Sequence, residues 1–223
     1  MKIEKKGLIL TGGSIDIEFV RSFLKENRPD YIIAVDRGLM AAYALNLPVH
    51  VIVGDFDSVS HSVLEYYEHG SQFEMKPRIK RLVPEKDMTD TQVAIELAIE
   101  EGIMDITIIG ATGTRMDHLL ANINLLMIPL RNQVKACILD KNNKLYLKNQ
   151  SFCINKEDAY GNYVSLLPLT EEVTGVTLRG MKYPLEQYTM VQGDSLGVSN
   201  EITSDVATVE IGEGTLIVIE ALD

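Results

Sequence analysis

Six short apolar runs, separated by stretches with helical spacing, occupy the chain from Gly7 to about Asp140, and this alternation restricts the fold more than any other feature. The runs are Gly7 to Leu10, Tyr31 to Val35, Val49 to Val53, Lys80 to Val83, Asp105 to Ile109 and Val134 to Leu139. Some of them, such as Ile106-Thr107-Ile108-Ile109, barely alternate between apolar and polar residues. A strand covered on both faces reads this way, as in a mostly parallel sheet with helices packed against it. The clearest helix begins at Thr89: Thr89-Asp90-Thr91-Gln92 forms a capping box, and Val93, Ala94, Leu97 and Ala98 make one apolar stripe ahead of Gly102. Ser60 to Gly70 predicts a second helix, with a serine cap in front and a glycine stop behind.

The pattern changes near Lys144. Short runs rich in Val, Thr and Tyr follow, at Tyr163 to Leu167, Thr174 to Leu178, Ala207 to Ile211 and Thr215 to Glu220, spaced closely by Gly, Asn and Pro. Such spacing predicts antiparallel strands. A chain of 223 residues holds one large domain or two modest ones. The expected fold is therefore α/β: an N-terminal, mostly parallel α/β sandwich domain over residues 1–142, followed by a smaller antiparallel β-sandwich domain over 143–223. No internal repeat, low-complexity segment or long linker interrupts it, so the two parts are expected to pack together.

Composition supports a packed fold and narrows the partners. Hydrophobic residues make up 46% and charged residues 24%, which excludes disorder and collagen. Asp and Glu total 32 against 21 for Lys and Arg, a net charge of -11, so attraction to a nucleic-acid backbone is disfavoured. An anionic ligand then needs a metal ion or local cations. Two cysteines, Cys137 and Cys153, are too few for a zinc site or a disulfide framework. The apolar stretch behind the basic N-terminus is shorter than a signal-peptide core, and no stretch reaches membrane-spanning length. The expected location is the cytoplasm, without nucleic-acid or membrane partners.

In a doubly wound sheet, ligands lie beyond the carboxyl ends of the strands. Four polar segments fall there: Asp36-Arg37-Gly38, Gly54-Asp55-Phe56-Asp57-Ser58, Glu85-Lys86-Asp87-Met88-Thr89-Asp90, and Gly110 through His118. Asp55 and Asp57, two apart after a strand, can share a hard cation, and Mg2+ suits oxygen ligands and phosphate. A solvated turn with an Asx hydrogen bond is the plain alternative. Asp87 and Asp90 form a second acidic pair, although Asp90 in a first helical turn is also favoured by the helix dipole alone. Lys86 beside them suits phosphate together with metal. Arg115 offers a planar fork to phosphate oxygens, with a loop pair to Asp117 as its alternative. His118 opens a helix and reads as a capping or packing residue, and His50, His61 and His69 read as structural or exposed.

Several chemistries are absent. There is no G-x-x-x-x-G-K-[ST] loop, Gly12-Gly13-Ser14 lacks the spacing of a dinucleotide fingerprint, and no Ser, His and Asp set sits at an elbow motif.

Five segments in this order resemble the thiamine pyrophosphokinase (thiamine diphosphokinase) family: Ala34-Val35-Asp36-Arg37-Gly38, Val53 to Ser58, Lys86 to Asp90, Gly110 to His118, and Gly197-Val198-Ser199-Asn200-Glu201. The resemblance covers nearly the whole chain. It implies a homodimer whose N-terminal domain binds ATP with Mg2+ and whose C-terminal β-sandwich helps bind thiamine across the subunit interface. The implied reaction moves the terminal diphosphate of ATP to the thiamine hydroxyl and leaves AMP. By the same resemblance Asp55, Asp57 and Asp90 bind metal or organise the triphosphate. Asp36, Lys86, Asp87, Arg115, Asp117 and His118 contact ATP, and Ser199 and Asn200, with Asp90, hold thiamine. Asp55, Asp57, Asp90 and Arg115 are the catalytic set. Two features depart from the family: Arg37 stands where glycine is commoner, and no Trp is available to stack on the pyrimidine, for which Tyr183 or Tyr188 is a substitute.

Two other readings fit parts of the pattern. A haloacid-dehalogenase-like phosphohydrolase uses the first Asp of a D-x-D as nucleophile, but after the first strand, whereas here two strands precede it. A nonenzymatic nucleotide or thiamine sensor would keep the pocket without turnover.

Overall fold

The apolar runs of the N-terminal half form parallel strands because both of their faces are covered. The computed structural model describes residues 4–57, 59–70, 75–82 and 87–222. The chain divides into two units, Met1–Lys141 and Asn142–Asp223.

In the first unit the elements run β1 (Lys6–Leu10), α1 (Ile17–Glu26), β2 (Tyr31–Val35), α2 (Gly38–Ala44), β3 (Val51–Gly54), α3 (His61–His69), β4 (Arg78–Arg81), α4 (Asp90–Glu100), β5 (Asp105–Ile109), α5 (Met116–Leu125), α6 (Met127–Arg131) and β6 (Lys135–Leu139). The strands lie in the order β4-β3-β2-β1-β5-β6, and every neighbouring pair is parallel. Leu8, Ile9 and Leu10, Ile32 to Val35, and Val51 to Val53 are all buried, which accounts for the unbroken apolar character of those runs. Strands are added outward from β1 to β4 on one side, and β5 then starts on the other side of β1. The sheet therefore has its topological switch point between β1 and β5, where such folds open a crevice at the carboxyl ends of the strands.

Helix α4 starts where the sequence predicts, with Thr89 Oγ1 accepting the Gln92 N–H at 3.2 Å. Only half of the expected capping box forms, because the Gln92 side chain instead donates along the helix to Glu96 at 3.0 Å. The helix buries Thr91, Val93, Ala94, Ile95, Leu97 and Ala98. Each fully buried Val, Leu or Ile side chain contributes about 1.5–3 kcal/mol relative to exposure. The fourth strand differs from the expected Lys80 to Val83: it lies at Arg78–Arg81, with Val83 outside the described residues. This strand ends the sheet order and is mostly exposed, so apolar content does not mark it.

The second unit is antiparallel throughout. It runs β7 (Asn143–Lys148), β8 (Phe152–Asn155), β9 (Tyr163–Pro168), β10 (Glu172–Arg179), β11 (Leu185–Val191), β12 (Val206–Glu210) and β13 (Leu216–Ala221). Within it, β7, β13 and β9 pair in that order, as do β11, β10, β12 and β8. Val164, Leu166, Leu216 and Val218 from the first set pack with Val173, Val176, Leu178 and Val209 from the second. The inner faces of two sheets thus share one core, the defining feature of a β-sandwich. Glu220 is buried within this unit, where it accepts the Tyr160 N–H at 2.7 Å and lies 3.6 Å from Lys144 Nζ.

Candidate active site

Because β1, β2, β3 and β5 are parallel, the loops that follow them all emerge at one edge of the sheet. Three inter-strand spacings, about 14 Å, separate β3 from β5, with β2 and β1 between them. Backbone hydrogen bonds tie these loops together. Thr11, Gly13 and Ser14 donate to Ile109, Gly110 and Thr112 at 2.9, 2.8 and 2.8 Å, joining the β1 and β5 loops across the switch point. Asp36 N donates to Val53 O, and Leu82 N to Gly54 O, both at 3.0 Å.

The loop after β3 carries the acidic pair. Asp55 is half-buried and Asp57 exposed, and Asp55 Oδ1 accepts the Asp57 N–H at 3.1 Å. The Asx-type turn is therefore present. Phe56 between them adopts φ 68°, a conformation rarely used by bulky residues, and is buried beneath the Arg81 guanidinium, 5.3 Å from its ring centre. Phe56 is thus anchored inward between the two acids. Asp36, after β2, also has a positive φ of 46°, and its Oδ1 is shut off from solvent.

Asp90 is the first residue of α4 and half-buried, while Asp87 is exposed in the turn before it. Their helix is fastened to the strand edge by Thr91, whose Oγ1 lies 3.0 Å from Thr11 Oγ1, both residues being buried. Asp90 thus starts its helix at the end of β1, between the loop of Asp55 and Asp57 and the loop of Arg115. Lys86 and Ser58 lie outside the described residues.

Arg115 precedes α5 and pairs with Asp117: Nε donates to Oδ1 at 3.1 Å and Nη2 to Oδ2 at 2.5 Å. Both side chains are exposed, and His118 follows them, also exposed. Hydrogen bonding from Arg115 lowers the Asp117 carboxyl to about 2, and the Arg115 guanidinium is raised in return. An exposed pair of this kind is weak and screened, so Arg115 can exchange it for phosphate oxygens. His50 is structural: its Nδ1 accepts the Ile32 N–H at 3.1 Å, and burial lowers its pKa.

In the second unit Ser199 is exposed with φ 57°, and its N–H donates to Ser165 Oγ at 3.0 Å. Asn200 is buried. Its Oδ1 accepts from Tyr183 N and Glu201 N at 3.0 and 2.9 Å, and its Nδ2 donates to Tyr183 O at 2.8 Å. Its amide thus shapes the turn that presents Ser199 and Tyr183, the latter 56% exposed with Lys182 Nζ 5.6 Å from its ring centre. Tyr188, the other aromatic candidate, donates its hydroxyl to Asp194 at 3.0 Å.

Among the described residues no group of three or more His, Cys, Asp or Glu side chains is gathered as a ready-made metal cage. Mg2+ needs no such cage, since it keeps several waters and takes one or two carboxylates along with substrate phosphates. Asp55 and Asp57, two acids on one anchored loop at the carboxyl edge of the sheet, fit that mode. One segment escaped the sequence reading. Gly12-Gly13-Ser14 lacks a dinucleotide fingerprint, yet with Thr11 it lines the switch point; the available signal is its position just after the first strand.

Comparison with known proteins agrees with both units. Residues 24–138 match the family described as thiamin pyrophosphokinase, catalytic domain, and residues 150–216 match that described as thiamin pyrophosphokinase, vitamin B1 binding domain. The chain is 31% identical over 191 residues to the thiamine pyrophosphokinase of Bacillus subtilis (strain 168), covering 86% of this chain and 87% of that one. The crystal structure of the B. subtilis thiamine pyrophosphokinase superposes with a TM-score of 0.86 at 28% identity, over 98% of this chain and 100% of that one. That of the Geobacillus thermodenitrificans thiamin pyrophosphokinase gives 0.83 at 30% identity, over 98% of each.

Proposed function

The chain belongs to the thiamin pyrophosphokinase family, and on that premise we propose how its residues carry out the reaction. The protein is a thiamine diphosphokinase, which uses ATP and thiamine and forms thiamine diphosphate and AMP. The observation that carries this reading is the match of both family halves, in order, on one chain. The dehalogenase-like and sensor readings find no support in these matches.

In the reaction the thiamine hydroxyl oxygen forms a bond to the β phosphorus, the bond from that phosphorus to the oxygen of the AMP phosphate breaks, and the hydroxyl loses its proton. Little covalent chemistry falls to the protein, so positioning and charge neutralisation dominate. Asp55 and Asp57, joined by Asp90, are the residues proposed to hold Mg2+. When bound, the ion would neutralise charge on the diphosphate and orient it. Arg115 is proposed to leave Asp117 and take phosphate oxygens with its fork. While Arg115 donates to it, the Asp117 carboxyl is held at about 2 and stays ionised at neutral pH.

Asp36, Lys86, Asp87, Asp117 and His118 complete the proposed ATP contacts. Ser199 and Asn200 are proposed to bind thiamine, as is Asp90. The protein is further proposed to be a cytoplasmic homodimer. Among the described residues no helix is long and apolar enough to cross a membrane. For a dimer, the support is α5, none of whose residues is buried and whose Met116 and Leu120 are 62% and 57% exposed, an apolar face a second copy would cover.

The test is to incubate the protein with ATP, Mg2+ and thiamine and to follow products by mass spectrometry. AMP and thiamine diphosphate should rise together. Release of inorganic phosphate without AMP would point instead to a phosphohydrolase.

A further inference from the structure

Arg37 occupies a place on the rim that no proposed contact accounts for. It stands between β2 and α2, and β2 lies between β3 and β1 in the sheet. On one side is the loop of Asp55 and Asp57, and on the other the glycine loop at the switch point. Gly12 lies directly against it: a β-carbon added there would sit 3.8 Å from Arg37 Cβ and 4.0 Å from Asp36 Cβ.

The backbone under Arg37 is fixed. Asp36 holds φ 46°, Leu39 and Met40 donate to the carbonyls of Asp36 and Arg37 at 3.0 Å, and Asp36 N is bonded to Val53 O. Gly38 packs so closely on β1 that a β-carbon would overlap the Leu10 carbonyl and come within 2.9 Å of Thr11 N. The turn therefore cannot drift from the strand edge. Its side chain is exposed, and among the described residues the guanidinium has no ion pair or hydrogen bond. The rim around it is acidic, with Asp36, Asp55, Asp57, Asp87 and Asp90, in a chain of net charge -11. Of the other guanidiniums at this edge, Arg115 is paired with Asp117, and Arg81, which covers Phe56, lies 3.6 Å from Glu68.

We propose that Arg37 is a specificity-determining residue that grips the diphosphate portion of ATP, the part passed to thiamine, from the side opposite Arg115. This rests on the diphosphotransfer reading above. A guanidinium fork matches phosphate oxygens bidentately, and here it stands one strand from the acids proposed to hold the diphosphate's metal ion. It distinguishes ligands that carry a diphosphate from AMP, which does not.

The experiment is calorimetric titration of ATP, thiamine diphosphate and AMP, each with Mg2+, into the wild-type protein, Arg37→Gln and Arg37→Lys. Loss of a charge-assisted hydrogen bond should weaken ATP and thiamine diphosphate roughly 10- to 100-fold in Arg37→Gln, and less in Arg37→Lys. AMP affinity should stay unchanged, which also shows that the variant is folded and its nucleotide site intact. Unchanged ATP affinity in Arg37→Gln, or an equal loss for AMP and ATP, would overturn the proposal. Failure of the wild-type protein to make AMP and thiamine diphosphate would instead refute the activity itself, a separate result from any change in affinity at Arg37.

Discussion

Thr11 and Thr91, eighty positions apart in the chain, place their hydroxyl oxygens 3.0 Å from each other in the interior of the first unit. One residue directly follows the first strand and the other sits in the first turn of α4, so this contact ties the start of the helix of Asp90 to the switch point. With 6% and 8% of their surfaces exposed, neither hydroxyl has ready access to water.

Replacing one of the pair with valine should therefore cost more than replacing both. Thr91→Val strands the Thr11 hydroxyl and should destabilise the protein by about 1–3 kcal/mol in urea unfolding. The Thr11→Val, Thr91→Val double variant should recover much of that loss. Strictly additive losses would show that the two hydroxyls do not interact.

The Asp117 carboxyl should titrate at about 2, below its ordinary 3.8, because Arg115 donates to it in the folded state. A depressed acid contributes stability above its unfolded pKa and loses it as pH falls toward the folded value. The pair is thus intact at neutral pH and breaks only in strong acid. Carbon-detected NMR of the side chain gives the midpoint. In Arg115→Gln it should return to the ordinary carboxylate range; an identical low midpoint in that variant would contradict the pairing.

His50 should make the protein sensitive to mild acid. Its ring stacks near Tyr31, with centroids 4.6 Å apart, and its Nδ1 accepts the Ile32 N–H, which a protonated nitrogen cannot do. Burial lowers its pKa from 6.5, so the unfolded chain takes up a proton first. Stability should be constant above that pH, fall as pH drops through it, and level off below the folded value. Asn at this position offers an amide oxygen that does not titrate, so urea midpoints of His50→Asn should lose this slope between pH 8 and pH 5. An unaltered slope would assign the effect to another group.

Much of the first unit was legible because its strands are buried on both faces. Tyr31–Val35 and Asp105–Ile109 are found with the expected bounds, and α4 starts at its threonine cap. Elements without that burial left little trace. Strand β4 is an exposed edge of Arg, Ile and Lys, displaced two residues from the expected run. Strand β11, mostly exposed, shows no clean alternation, and α2 has seven residues and no side-chain cap. At the rim, the acids and Arg115 stood out because their types suggest phosphate chemistry. Thr11 to Ser14 did not, since their part depends on pairing with the β5 loop, which only the strand order shows. Asn200 was legible as a site residue but not as the amide that shapes the Tyr183 turn, because its partners are backbone groups 17 residues away.

Whether Asp55, Asp57 and Asp90 serve one divalent ion is decided by the rate of AMP formation across a Mg2+ titration, in the wild-type protein and in the three single Asp→Asn variants. Thermal unfolding of each variant serves as the check on folding. Asp57 is exposed, so Asp57→Asn should keep its unfolding midpoint while turnover falls on the order of a hundredfold or more. Asp55→Asn and Asp90→Asn should likewise lose turnover and need more Mg2+ for what remains. Wild-type rates at the wild-type Mg2+ requirement in all three variants would contradict a shared ion at this edge of the sheet.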